Sequence, residues 1–185
     1  MLGIMKTSSS LADFQNRCQE LFTCFTFAAL GLKQIAEGFR PRLTGDPNQK
    51  LYIGSGHPDE GLAHSQMKMP VIVAHSEKNG AFTDILAKAL IVLMYAEWDE
   101  MFRHNMAREL DVKAGVLKSD LMGDLRHVRH WVVHNKSRVD AKYKSMKILT
   151  WPLAEGEVLN ISEEMLANLM DHINGMMVRV DDAQQ

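Results

Sequence analysis

Three histidines and two arginines crowd into one stretch, DLRHVRHWVVHNKS (residues 124–137): His127, His130 and His134 beside Arg126 and Arg129. The chain has 8 histidines in 185 residues, so this density is not a matter of composition. Histidine titrates near neutrality and carries a proton in either direction. Arginine offers a permanently charged, planar fork matched to phosphate oxygens. The combination suits metal-independent cleavage of RNA. One group takes the proton of a ribose 2'-hydroxyl, another protonates the departing 5'-oxygen, and a cation stands beside the pentacoordinate phosphorus.

A helix must display these side chains on one side for them to act together. With Arg129 at zero and 100° per residue, Arg126, His130, His134 and His127 fall at about 60°, 100°, 140° and 160°. Leu121, Leu125, Val128, Val132 and Trp131 fall between about 200° and 320°, which defines the buried face. Lysine and glutamate, the usual fillers of a solvated helix exterior, are missing between Arg126 and His134. Val133 stands inside the polar stripe, as expected where a helix meets another surface.

Two other chemistries use some of these residues. His130 and His134 have the four-residue spacing of a zinc-binding helix turn, but the flanking arginines repel a cation and no carboxylate accompanies them. Passive nucleic-acid contact fits the local charge: residues 124–147 hold seven basic residues against two acids in a chain of net charge −2. Phosphate binding alone, however, does not call for histidines. A single well-placed histidine is only half of an acid and base pair, and a symmetric homodimer through the motif helix supplies the other half.

The elements that must position the stripe read as helices. Apolar residues recur at helical spacing over residues 10–37, after a serine run and up to Gly38. Residues 83–110 form a second long helix, apolar enough in its first half to lie inside a bundle. Residues 117–136 form the motif helix, and residues 162–180, begun by Ser162, a fourth. Between the first two lies an irregular insertion, residues 39–80, dense in glycine and proline, with KLYIG and MPVIVAH as short extended candidates and room for a small β-hairpin. SMKILTW (residues 145–151) also has a β-like composition. The expectation is all-α: a single domain over residues 1–185, a four- to five-helix bundle with that insertion.

The motif resembles the Arg-x(4–6)-His signature of the HEPN superfamily, with Leu125, Arg126, Arg129, His130, His134 and Asn135 standing as LRxxRHxxxHN. The resemblance implies a helical bundle that dimerises along the motif helices and is often an RNase of toxin–antitoxin, antiphage or RNA-processing systems. It implies Arg129 as the phosphate-stabilising arginine and His134 as the catalytic histidine. His130, where the family more often has asparagine or aspartate, becomes a second proton carrier or a support. Arg126, Asn135, Lys136, Lys142 and Lys144 complete the expected contacts to RNA. No metal or cofactor is implied, and an antitoxin protein is a further partner. The alternative is a catalytically silent HEPN module for dimerisation or for nucleotide or RNA binding.

Other features bound this reading. Cys18 and Cys24 lie on one helix about 240° apart and cannot bridge there, which makes the cytosol the expected compartment. No apolar run approaches a membrane span, and the first residues are too polar for a signal peptide, so a soluble, unprocessed chain is expected. Glu97, Asp99 and Glu100 mark where the helix meets water, with the alternative that one of them orients a motif arginine across the bundle. His57, His64 and His75 are expected as surface loop residues. Trp98, Trp131 and Trp151 are candidates for base stacking, with Trp131 on the buried side of the wheel.

Overall fold

A computed structural model describes residues 8–56, 61 and 63–181, which are mostly helical with two short antiparallel pairs of strands. Helix α1 spans Ser9–Phe39, α2 Met69–Ser76, α3 Ala81–Glu97, α4 Arg103–Leu110, α5 Asp120–His134 and α6 Glu163–Asn174. Strands β1 (Lys50–Gly54) and β2 (Ala63–Lys68) pair with each other, as do β3 (Leu117–Lys118) and β4 (Arg179–Val180). Two compact units divide the chain: Thr26–Ile85 forms one, and Met1–Phe25 with Leu86–Gln185 the other. No single described helix is long and apolar enough to cross a membrane.

The larger unit is built around the aromatic ring of Phe14. Fully buried, it packs against Trp98 and Phe102 with ring centroids 5.3 and 5.4 Å away. Ile91, Met94, Leu125, Val128, Trp131, Leu166, Leu169 and Ile173 are also fully buried, spaced three and four apart on their helices. Polar side chains then fix the first helix. Glu109 accepts hydrogen bonds from the hydroxyls of Ser10, Ser8 and Ser9, and from the Ser10 amide. These donors hold its carboxyl down at about 2. Arg17 pairs with Glu97, and the Gln15 amide donates to the carbonyls of Ile173 and Asn174.

The smaller unit holds the predicted hairpin, and KLYIG is indeed β1. MPVIVAH, expected to be extended, is helical instead. Pro70 occupies its first turn, where a proline lacks no needed N–H, and Met69, Ile72, Val73 and Ser76 bury one face. Gly80 makes the turn into α3; a Cβ there would collide with the backbone carbonyls of His75 and Glu77. His75 meets the Phe82 ring edge-on and His64 is exposed on β2, while His57 lies outside the described residues.

Other boundaries also move. Helix α1 runs through Gly38 and gives way to a short 3₁₀ turn at Arg40–Arg42, where Pro41 stops the α-helical ladder. Helix α6 ends at Asn174 with Gly175 as its cap, well short of residue 180, and Arg179–Val180 pair with Leu117–Lys118 in place of extending the helix. Ala87, Ile91 and Met94 are buried in α3 as expected, yet Ile85, Leu86 and Leu93 stay exposed, so protein does not surround that helix. Cys18 is buried and Cys24 exposed, both as free thiols; burial, with Glu97 nearby, pushes the Cys18 thiol up to about 12.

Candidate functional site

Helix α5 is shorter than residues 117–136, since Leu117–Lys118 pair as β3 and Lys136 is left-handed, but its faces fall where the wheel puts them. Leu121, Leu125, Val128 and Trp131 are buried, Val132 is half-buried, and Val133 is 48% exposed among the polar residues. The buried face also holds an acid that its neighbours in sequence do not mark out. Asp124, at about 220° on the same wheel, is only 3% exposed. Its carboxylate accepts the backbone N–H groups of Lys147, Ile148 and Leu149 at 2.7–3.0 Å. SMKILTW, β-like in composition, is therefore not a strand: Ser145 ends a 3₁₀ turn (Ala141–Ser145), residues 147 and 148 bend, and the amides of residues 147–149 bond to a side chain and not to a ladder. Trp131, the other anchor of this face, donates its indole N–H to Asp140 at 2.9 Å.

Arg126 and Arg129 line a cavity of about 400 Å³ together with Tyr95, Ala96, Asp99, Glu100 and Arg103. The second wall of this cavity comes from the helix Ala81–Leu110, which carries a π-helical turn at Trp98–Phe102. In an uninterrupted α-helix, Arg103 would lie about 80° round from Tyr95. The extra residue of a π-turn rotates the residues after it back by roughly 100°, which returns Arg103 to the face of Tyr95 and Asp99. Asp99 and Arg103 pair at 2.9 Å, and the Arg103 Nε–H donates to the Ala114 carbonyl at 2.8 Å. The Arg129 guanidinium lies over the Tyr95 ring, 5.6 Å from its centroid. Burial, then Asp99, raises the Tyr95 phenol above its ordinary range, against the pull of the three arginines.

The histidines occupy a different flank. His130 and His134 are in ring contact at 5.4 Å, His134 exposed and His130 half-buried, and neither lines the cavity. His127 stacks on Trp131 at 6.4 Å. Burial lowers its pKa, and the charge of Lys142 lowers it further. Among the described residues, no three His, Cys, Asp or Glu side chains gather as a metal site.

The remaining predicted contacts are scattered. Asn135 caps α5 and donates its side-chain amide to the Arg138 carbonyl at 2.6 Å, which commits it to the turn. Lys136 and Ser137 are both left-handed, at φ 50° and 59°, and reverse the chain there. Lys136 is exposed; Lys142 stands 4.0 Å from Asp140, and Lys144 pairs with Glu155 at 3.2 Å. Trp98, Trp131 and Trp151 are all buried, so none offers a face for a base. Of the acidic trio, Glu97 turns to Arg17, while Asp99 and Glu100 share the cavity with the motif arginines. Tyr95 and Arg103 do not stand out in the sequence; the spacing Tyr95, Asp99, Arg103, four residues apart each time, is the one signal that could have found them. Compared with family models, curated proteins and solved structures, the chain matches none.

Proposed function

We propose that the chain is a metal-independent endoribonuclease of the HEPN type, acting as a homodimer through α5, in the role of a toxin or a defence effector against phage. The observation that carries this reading is the shared cavity of Arg126 and Arg129. Arg103 is paired with Asp99, which leaves the two motif arginines opposed in the cavity by Glu100. Such a pocket receives an anion, and guanidinium forks suit the nonbridging oxygens of a phosphodiester.

In this reading one imidazole takes the 2'-hydroxyl proton as the 2'-oxygen bonds to phosphorus. The bond from phosphorus to the 5'-oxygen breaks, and a second imidazole protonates that oxygen. The products are a 2',3'-cyclic phosphate and a 5'-hydroxyl. His134 is the proposed proton carrier, with His130 at 5.4 Å as its support or second carrier. The exposed Val133 and His134 at the end of α5 are where a second copy would add its own pair. Lys136, Lys142 and Lys144 extend the basic surface along the strand, and an antitoxin protein is the expected further partner.

The test is cleavage by a mixed dimer, one protomer carrying His134→Ala and the other intact, in buffer containing EDTA. A composite site predicts activity that survives chelation and falls far below half in the mixed dimer. Retention of half would mean that each protomer works alone. Loss in EDTA with recovery on zinc would reassign His130 and His134 as ligands. A second reading, a silent module that binds a nucleotide, is favoured by the lack of a histidine lining the cavity. It predicts nucleotide binding without cleavage and no impairment of growth on overexpression.

A further inference from the structure

The geometry assigns Tyr95 as the positioning residue that holds the Arg129 guanidinium in the cavity for a phosphate group; this rests on the proposed meeting of Arg129 with phosphate. An arginine on a helix surface has many rotamers, and a pocket that must meet an anion in one orientation has to restrict them. Here the restriction is an aromatic face 5.6 Å from the guanidinium carbon. Lying over the ring, the guanidinium has no hydrogen-bond or ion-pair partner among the described residues, so its N–H donors stay free for an oxyanion.

Tyr95 is not simply a core residue. The buried positions of α3 are Thr83, Ala87, Ile91 and Met94, followed by Trp98, spaced three and four apart. Tyr95 is half-buried, off that stripe, and lines the cavity. Among the described residues two other cations lie over rings, Arg42 over Phe39 and Lys144 over Tyr143, but neither pair lines this cavity. The neighbouring groups divide the work. Asp99 engages Arg103, whose Nε–H is also committed to Ala114, so one of the two carboxylates lining the cavity is occupied while Arg129 lies over a neutral ring. A neutral platform orients the guanidinium without cancelling its charge, as a carboxylate in that place would.

The test uses the full chain, with inorganic phosphate as the probe and the Arg129 side-chain NMR signals as the readout. In the wild type these signals should show an upfield ring-current shift and move on adding phosphate. Tyr95→Phe, which keeps the ring, should bind phosphate within about twofold of the wild type. Tyr95→Leu should bind roughly tenfold more weakly, the scale of a partly desolvated cation–π contact, and lower kcat/KM for RNA, with Tyr95→Phe restoring both. Equal phosphate affinity in the wild type and Tyr95→Leu would overturn the assignment and leave the phosphate role of Arg129 standing. Arg129 signals that ignore phosphate in the wild type would overturn both. Should Tyr95→Leu fail to fold, the wild-type spectrum decides: Arg129 signals without a ring-current shift would sink the assignment.

Discussion

The two flanks of α5 are built in opposite ways. On one, Arg126 and Arg129 enter a cavity walled by a second helix, with Arg129 over an aromatic ring and Asp99 already paired with Arg103. On the other, His130 and His134 are in contact with each other, and His134 is exposed at the helix end. The difference arises from what each residue type does. A guanidinium is always charged, so its usefulness depends on a fixed direction. An imidazole that exchanges protons with a substrate depends on access, and its partner groups need not come from the same chain. In the proposed reading, one chain prepares the place for an anion, whereas its proton carriers await a second copy that docks against them.

Both flanks depend on a third side of the helix, and breaking it should have the largest effect. Asp124→Ala strands the amides of Lys147, Ile148 and Leu149, all now held by one buried carboxylate. At about 1–3 kcal/mol per unsatisfied buried group, discounted because Lys147 reaches solvent, the loss should be about 3 kcal/mol or more. Urea denaturation measures it. A variant within about 1 kcal/mol of the wild type would mean that α5 holds its flanks without this clamp.

The next pair of substitutions separates the flanks from each other. Arg129→Ala and His134→Ala should each remove RNA cleavage, Arg129→Ala by roughly 3–4 kcal/mol of activation free energy, the cost of one lost oxyanion partner, and His134→Ala by roughly a hundred- to ten-thousand-fold, the cost of a lost proton carrier. Neither should change the urea midpoint much, because Arg129 is half-buried and His134 exposed. Phosphate binding should then divide them: weakened in Arg129→Ala, unchanged in His134→Ala. An equal loss in both would merge the two flanks into one site within a single chain.

Much of this arrangement was legible in the sequence because helical periodicity is a property of neighbouring residues. The faces of α5 come directly from the wheel, including the exposed Val133. Asp124 was legible by the same arithmetic, yet a lone acid beside two arginines reads as surface charge until its burial is known. MPVIVAH misleads because a short apolar run has no period to measure, and Pro70 serves the first turn of a helix as well as the edge of a strand. The cavity was the least legible part. Its second wall depends on one extra residue in a π-turn at Trp98–Phe102, and nothing in local composition announces a change from 3.6 residues per turn. Arg103 therefore joins Tyr95 and Asp99 at the cavity through a register that only the folded helix reveals.

The smallest expected effect concerns His127, which belongs to neither flank. Its ring lies on Trp131, with the planes 23° apart. Burial, then the charge of Lys142, lowers its pKa against the opposing pull of Asp124 and Asp140; Arg126 adds to the lowering. The folded protein thus favours the neutral ring more than the unfolded chain does, where histidine titrates near about 6.5. The unfolded state binds more protons in that window, so stability rises with pH. The contribution is fully present above about pH 6.5 and is lost as pH falls through the lowered folded value. His127→Phe keeps an aromatic ring against Trp131 and removes the titration. Its urea midpoint should decline less than that of the wild type between about pH 7 and pH 5. Identical slopes would show that the stack tolerates the charged ring, and His127 would then be solvated as freely as the exposed His134 and not held on the buried side by Trp131.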